Sequence, residues 1–215
     1  MSTHELRAQL VAYGGRLVSE GLCIGTAGNL SVRAGENVLI TPSSIPPGDL
    51  SPELIATAEA DGRILDAPAR PSSELPLHLA VYAATDAGAI VHTHSPFATV
   101  LSTTVDVLPA VHYMINGLGG PVRVVPYATF GSTELADGVR AGLRERYGAI
   151  LQNHGTVTYG KTLADAFYRA HLLEWLATLY WRAAQLGRPR ILDEEELRLV
   201  REQGSRLRYA YEGEK

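Results

Sequence analysis

Six consecutive residues constrain this chain most: the apolar run Ala89-Ile90-Val91 leads directly into His92-Thr93-His94. A short apolar run of this kind reads as a buried strand. In a strand, residues i and i+2 lie on one face, so both imidazoles point the same way from a rigid support. Two rings on one face can grip a single metal ion, and neutral imidazole is a good ligand for Zn²⁺ and similar ions. Any fold for this chain must therefore bury residues 89–91 and leave the histidines at a site. His154, in Gln152-Asn153-His154-Gly155-Thr156, and Glu74, in Arg70-Pro71-Ser72-Ser73-Glu74, are candidates to complete it.

The rest of the chain alternates helical and extended patterns. Leu6, Leu10, Val11, Leu17 and Val18 mark a helix over 4–20, interrupted in composition by Gly14 and Gly15. Residues 29–33 and 38–41 read as a hairpin around a turn at 34–37, and 54–58 as a further strand closed by Asp61-Gly62. A helix is expected over 73–85, capped by Ser72 or Ser73, then a strand over 88–93 and a helix over 96–104. Residues 122–126 form a β-branched run. A helix over 133–146, strands at 149–151 and 156–159, a long helix over 162–187 ended by Gly187 and Pro189, and a short helix over 193–203 complete the pattern. Interleaved helices and strands without a linker or repeat imply a single α/β domain spanning 1–215.

Composition narrows the setting. The chain has 215 residues, 46% of them hydrophobic, enough for one substantial core. A net charge of −4 provides no basic field for nucleic acid. Cys23 is the only cysteine, which rules out an intrachain disulfide and fits a reducing cytosol. The first residues lack the apolar stretch of a signal peptide, and no apolar run is long enough to span a bilayer. The expectation is a cytoplasmic protein with no membrane partner.

Three histidines on two apolar segments leave a fourth coordination position open for water or substrate, the arrangement metal catalysis needs. Glu74, at an expected helix start, has two readings: favourable interaction with the helix dipole, or a general base beside the metal. His4, His112 and His171 read as structural or solvated. Three small-residue segments are suited to cradling a phosphate: Gly25-Thr26-Ala27-Gly28-Asn29, Thr41-Pro42-Ser43-Ser44 and Pro71-Ser72-Ser73. Gly permits close backbone approach, Ser, Thr and Asn offer neutral donors, and a helix N-terminus favours an anion.

In order along the chain stand Gly25-Thr26-Ala27-Gly28-Asn29-Leu30-Ser31-Val32-Arg33, Ile40-Thr41-Pro42-Ser43-Ser44, Pro71-Ser72-Ser73-Glu74, His92-Thr93-His94, His112-Tyr113-Met114, Pro126-Tyr127-Ala128-Thr129-Phe130-Gly131 and Asn153-His154-Gly155. This ordered set, over nearly the whole chain, resembles the class II aldolase/adducin family, most closely the L-fuculose-1-phosphate aldolases. The resemblance implies a three-layer α/β/α sandwich around a largely antiparallel sheet, as a homotetramer with active sites at subunit interfaces. It implies Zn²⁺, or another divalent transition metal, held by His92, His94 and His154. Glu74 would bind the resting metal and leave it to act as acid/base. Gly28, Asn29, Ser43, Ser44, Ser72 and Ser73 fall on the family's phosphate-binding positions. Tyr113 matches a tyrosine that serves a neighbouring subunit's site as proton donor to the aldehyde oxygen. Two departures stand out: Ser43-Ser44 replaces the Thr-Gly of many fuculose aldolases, and Tyr209 and Tyr211 are both candidates for the family's C-terminal tyrosine, so neither is carried over as catalytic.

The implied activity is reversible aldol cleavage of a ketose 1-phosphate, such as L-fuculose 1-phosphate, to dihydroxyacetone phosphate and a short aldehyde such as L-lactaldehyde. Same-family alternatives are a 5-deoxyribulose-phosphate aldolase, a methylthioribulose-phosphate dehydratase, an oxo-acid phosphate decarboxylase and a sugar-phosphate 4-epimerase. The epimerases carry Asp at the position of Glu74, which ranks them lower. A non-catalytic adducin-like module is disfavoured because such relatives lose the metal ligands.

Overall fold

The computed structural model describes residues 1–207. In chain order its elements are α1 (Thr3–Ser19), β1 (Asn29–Ala34), β2 (Asn37–Ile40), β3 (Ala56–Glu59), β4 (Ile64–Asp66), α2 (Leu75–Ala84), β5 (Ala89–Thr93), α3 (Pro96–Ser102), β6 (Val107–Leu108), β7 (Val122–Val125), α4 (Thr133–Gly142), β8 (Gly148–Leu151), β9 (Gly155–Gly160), α5 (Leu163–Leu186) and α6 (Glu194–Arg206). Short 3₁₀ turns lie at Pro47–Asp49, Pro52–Leu54 and Tyr113–Leu118. Side-chain caps fix the helix starts: Ser2 with Glu5, Thr162 with Asp165, and Asp193 with Glu196 form reciprocal capping boxes.

The strands form one sheet in the order β4-β3-β2-β1-β5-β9-β8-β7-β6. All pairings are antiparallel except β7 with β8. The strand that carries the His-x-His pair, β5, is therefore the central one, and all its residues are buried. Its alternate residues feed opposite layers. Ala89 and Val91 pack with Leu10 and Leu17 of α1 and Phe167 of α5. Ile90 packs with Leu77 and Val81 of α2 and Val139 of α4. Helices thus cover both faces, giving the three-layer α/β/α sandwich that the motif set implies. α3 and α6 add a third cluster with Leu172, Leu173 and Leu176 of α5. No helix among the described residues is long and apolar enough to cross a membrane.

Several elements differ from the sequence expectation for local reasons. Helix α2 begins at Leu75, and Glu74 is its cap residue, with non-helical φ −99° and ψ 12°. Helix α4 stops at Gly142 rather than 146, and Glu145 beyond it takes a left-handed φ of 58°. Strand β4 is exposed at every position, and β6 has only two residues, so neither carries a hydrophobic pattern to read.

Gly155 opens β9 against β5. A Cβ there would lie 2.1 Å from the Thr93 carbonyl oxygen and 3.2 Å from His94 Cδ2. Gly155→Ala is therefore expected to destabilise the fold by about 1–3 kcal/mol, because a backbone carbonyl cannot give way as a side chain does. Thermal unfolding checks this, and an unchanged Tm would contradict the close packing of β5 on β9.

Candidate metal centre

Four potential ligand groups converge at the end of β5: Glu74, His92, His94 and His154 each offer one atom within 4.8 Å of all the others. The three imidazoles form a nearly regular triangle, with ring centroids 4.9 Å apart in every pair. His92 Nε2 lies 3.0 Å from His94 Nε2 and 3.0 Å from Glu74 Oε2, while His154 Nε2 lies 3.3 Å from Glu74 Oε1. A tetrahedral ion with Zn-like bonds separates its ligand atoms by roughly 3.3 Å. The residues present thus fit a first-row divalent ion. Glu74 Oε1 adds a second sign: it is buried and accepts no hydrogen bond. Such an atom is costly to leave unpaired, and a cation satisfies it.

Each ligand is held by its own support. His92 lies on the α2 side of β5, opposite Asn29 of β1 in the register. Its Nδ1–H donates to the Thr156 carbonyl at 2.9 Å, so Nε2 is the nitrogen that faces the cluster. His94 follows the last strand residue, and its backbone N–H donates to the Leu22 carbonyl. Helix α3, which starts just after it, is anchored by Glu174, whose carboxylate accepts from the N–H groups of Phe97 and Ala98 at 2.8 and 2.9 Å. His154 sits in the turn between β8 and β9. Asn153 there adopts a left-handed φ of 55°, and its N–H donates to Ser102 Oγ at 2.9 Å.

The electrostatics divide the cluster. Burial by itself would raise the Glu74 carboxyl, but His92, His154 and the Asn29 amide outweigh it and hold the group well below the usual carboxylate range. Burial opposes a charge on His92 too, yet the Glu74 carboxylate raises it above the ordinary imidazole value. His94 and His154 are pushed down to about 4, first by burial and then by the charge on His92. Those two rings are thus neutral near pH 7 and ready to ligate a cation.

Three members of the cluster, Glu74, His94 and His154, line a cleft of about 450 Å³, with His92 buried beside them. Gly28, Asn29, Ser43, Ser44, Ser72 and Ser73 all line it, together with Thr26 and Asn153. No Lys or Arg is among the described residues lining it, so neutral N–H and O–H groups face any anion bound there. The loops bearing these residues are stitched to one another. Ser43 Oγ accepts from the Ser73 N–H at 3.0 Å and donates to the Pro71 carbonyl at 3.1 Å, and Ser72 Oγ accepts from the Glu74 N–H at 3.2 Å. The Ser43 and Ser72 hydroxyls thus shape the cradle, while Ser44 and Ser73 are exposed at its surface. Ser44 takes a left-handed φ of 63°, a conformation that favours glycine, at the position where many fuculose aldolases carry Gly.

Tyr113 is not brought into this cleft. It lies on the 3₁₀ turn, about half exposed, stacked on His112, which in turn meets Trp175 edge-on. Tyr209 and Tyr211 lie outside the described residues. His171 pairs with Glu20 on the outer side of α5. The structure adds residues to which sequence reasoning gave no role. Tyr127 and Phe130, both mostly exposed, form an aromatic wall of the cleft, and Gln152 Oε1 ties this wall to the His154 turn by accepting the Tyr127 N–H at 2.9 Å. His78 is completely buried behind Glu74. Its sequence signal was its place four residues after Glu74, which puts it on the same side of α2.

A triad of imidazoles and a carboxylate in a largely antiparallel α/β/α sandwich, beside a cleft lined by neutral donors, defines a metal-dependent enzyme of the aldolase class. The family comparison agrees: residues 8–181 match the class II aldolase and adducin N-terminal domain. The chain belongs to that family. It is similar to a 5-methylthioribulose-1-phosphate/5-deoxyribulose-1-phosphate aldolase of Rhodospirillum rubrum, with 42% identity over 92% of this chain and 90% of the relative. It is similar also to a 5-deoxy-D-ribulose 1-phosphate aldolase of Bacillus thuringiensis serovar kurstaki, at 38% identity over 89% and 91% of the two chains. Among solved structures, an L-fuculose 1-phosphate aldolase superposes with a TM-score of 0.89 at 36% identity, covering 95% of this chain and 98% of its own.

Proposed function

We propose that this aldolase reversibly cleaves the C3–C4 bond of a ketose 1-phosphate to give dihydroxyacetone phosphate and a short aldehyde. The convergence of His92, His94, His154 and Glu74 beneath the neutral-donor cradle carries this reading. A divalent ion held by these residues, Zn²⁺ in our reading, supplies Lewis-acid stabilisation of the negative charge left on the three-carbon fragment. The protein's own part is to hold the phosphate with Gly28, Asn29, Ser44 and Ser73, on loops shaped by Ser43 and Ser72, which orients the reacting carbons. Cleavage moves one proton from the C4 oxygen to C3. We assign the C4 proton to Tyr113 of a neighbouring copy in a homotetramer, and delivery to C3 to Glu74. The exposure of Tyr113 and its absence from its own chain's cleft support the first assignment. The burial of Glu74 beside the cluster supports the second. We further propose that the chain works as one cytoplasmic domain.

The substrate's aldehyde half is drawn from two sources of support. Identity is higher to the two deoxypentulose-phosphate aldolases than to the superposed fuculose aldolase. Tyr127 and Phe130 also offer apolar surface, which suits an aldehyde half without a hydroxyl, as in 5-deoxy- and 5-methylthioribulose, better than the lactaldehyde half of L-fuculose, whose C5 hydroxyl would be desolvated there. A 5-deoxypentulose 1-phosphate, which yields acetaldehyde, is accordingly the preferred substrate over L-fuculose 1-phosphate. Measuring dihydroxyacetone phosphate release from 5-deoxyribulose, 5-methylthioribulose and L-fuculose 1-phosphates tests this. A higher kcat/KM for either of the first two is expected. A clear preference for L-fuculose 1-phosphate would reverse the ranking, and no release from any would reject the cleavage reading.

A further inference from the structure

We propose that His78 is a positioning residue for Glu74, acting through Asn29. The inference rests on the assignment of Glu74 as the acid/base, and it starts from a row of polar groups sealed in the core between α2 and the sheet. Tyr82 OH lies 2.8 Å from Ser31 Oγ, which lies 2.6 Å from His78 Nδ1. His78 Nε2 lies 2.6 Å from Asn29 Oδ1, and Asn29 Nδ2 lies 2.9 Å from Glu74 Oε2. All five residues are buried, His78 and Ser31 completely.

The chemistry of the groups fixes every direction along this row. An ionised carboxylate only accepts, so Asn29 must turn its NH₂ toward Glu74 and its carbonyl oxygen toward His78. That carbonyl also only accepts, so His78 must carry its proton on Nε2. Burial keeps the His78 ring neutral, holding it down to about 3. Nδ1 is therefore bare and accepts from Ser31, whose oxygen accepts from Tyr82 in turn. Each group has one arrangement consistent with the next, so the row acts as a single oriented unit.

The consequence falls on Glu74. Asn29 ties down Oε2, and Oε1 is left with no hydrogen-bond donor. His78 thus decides which carboxylate oxygen is restrained and which stays available to the cation or to the substrate carbon. Without the Nε2–H donor, nothing buried holds the Asn29 amide against rotation, and a rotated amide would present an oxygen to a carboxylate. His92, on the same face, does not replace this contact, because its Nδ1–H is committed to Thr156.

The test compares His78→Met, which fills the space without a donor, with His78→Gln, whose amide keeps a donor and an acceptor. Metal content, Tm and the rate of C3 hydrogen exchange of dihydroxyacetone phosphate with solvent are measured on metal-loaded protein, with Glu74→Gln as control. His78→Met is expected to keep its metal and its KM while kcat for exchange falls by roughly 10–100-fold, as for other outer partners of metal sites. His78→Gln is expected to recover most of that loss. Wild-type exchange in His78→Met, or an equal loss in both variants, would overturn the proposal. If Glu74→Gln exchanges normally, it is instead the acid/base assignment that fails. Should His78→Met not fold, ¹⁵N shifts of the wild-type ring decide: the Nε2–H tautomer is expected, and an Nδ1–H tautomer overturns the proposal.

Discussion

Glu74→Gln is expected to lower cleavage by about 10²–10⁴-fold, the range over which a positioned acid or base contributes. The replacement has the same shape and keeps an oxygen for Asn29, so it isolates the proton. The three imidazoles remain, and the phosphate cradle is formed by other residues, so bound metal and phosphate-ester binding should both persist. Steady-state rates, metal analysis and binding of a non-cleavable phosphate ester measure the three quantities separately. Cleavage within a few-fold of the parent would show that another group serves C3. Loss of metal along with activity would show that Glu74 is chiefly a ligand.

His154→Ala carries the second large effect. The ring sits in the β8–β9 turn and lines the open cleft, unlike His92 in the core of the sheet, so its removal widens the cleft rather than leaving a sealed cavity in the core. The expected consequence is therefore chemical. Two imidazoles and a carboxylate hold a divalent ion more weakly than three and a carboxylate, and the loss in affinity should exceed the roughly 100-fold typical of outer partners. Cleavage should fall in parallel and recover in part at high metal concentration. Competition with a chelator of known affinity checks the first effect. Unaltered affinity in a folded variant would exclude His154 from the site.

The cluster of Glu74, His92, His94 and His154 was legible because each member sits where local pattern is strongest. His92 and His94 end an unbroken apolar run, His154 ends another, and β5 proved to be the central strand with His92 on the α2 face. Glu74 and the serines were marked by small-residue loops around prolines. The edge elements carried no such mark, as exposed β4 and two-residue β6 show. The support shell was hidden for a different reason. His78 approaches Asn29 and Ser31 only because β1 pairs beside β5 and α2 packs over both, a contact across 49 and 47 positions. The commitment of the Ser43 hydroxyl to the loops themselves likewise depends on bridging segments about 30 residues apart. Tyr113 was singled out by its motif, and the fold sets it on an exposed turn outside its own chain's cleft.

The most direct test of this account measures cleavage and bound metal on the same preparation. Purified protein is stripped with a chelator, the loss of divalent ion is verified by elemental analysis, and release of dihydroxyacetone phosphate is followed as Zn²⁺, Co²⁺ or Mn²⁺ is returned. The account predicts that cleavage disappears with the metal and returns in proportion to occupancy, saturating near one ion per chain. Full cleavage by verified metal-free protein would contradict it.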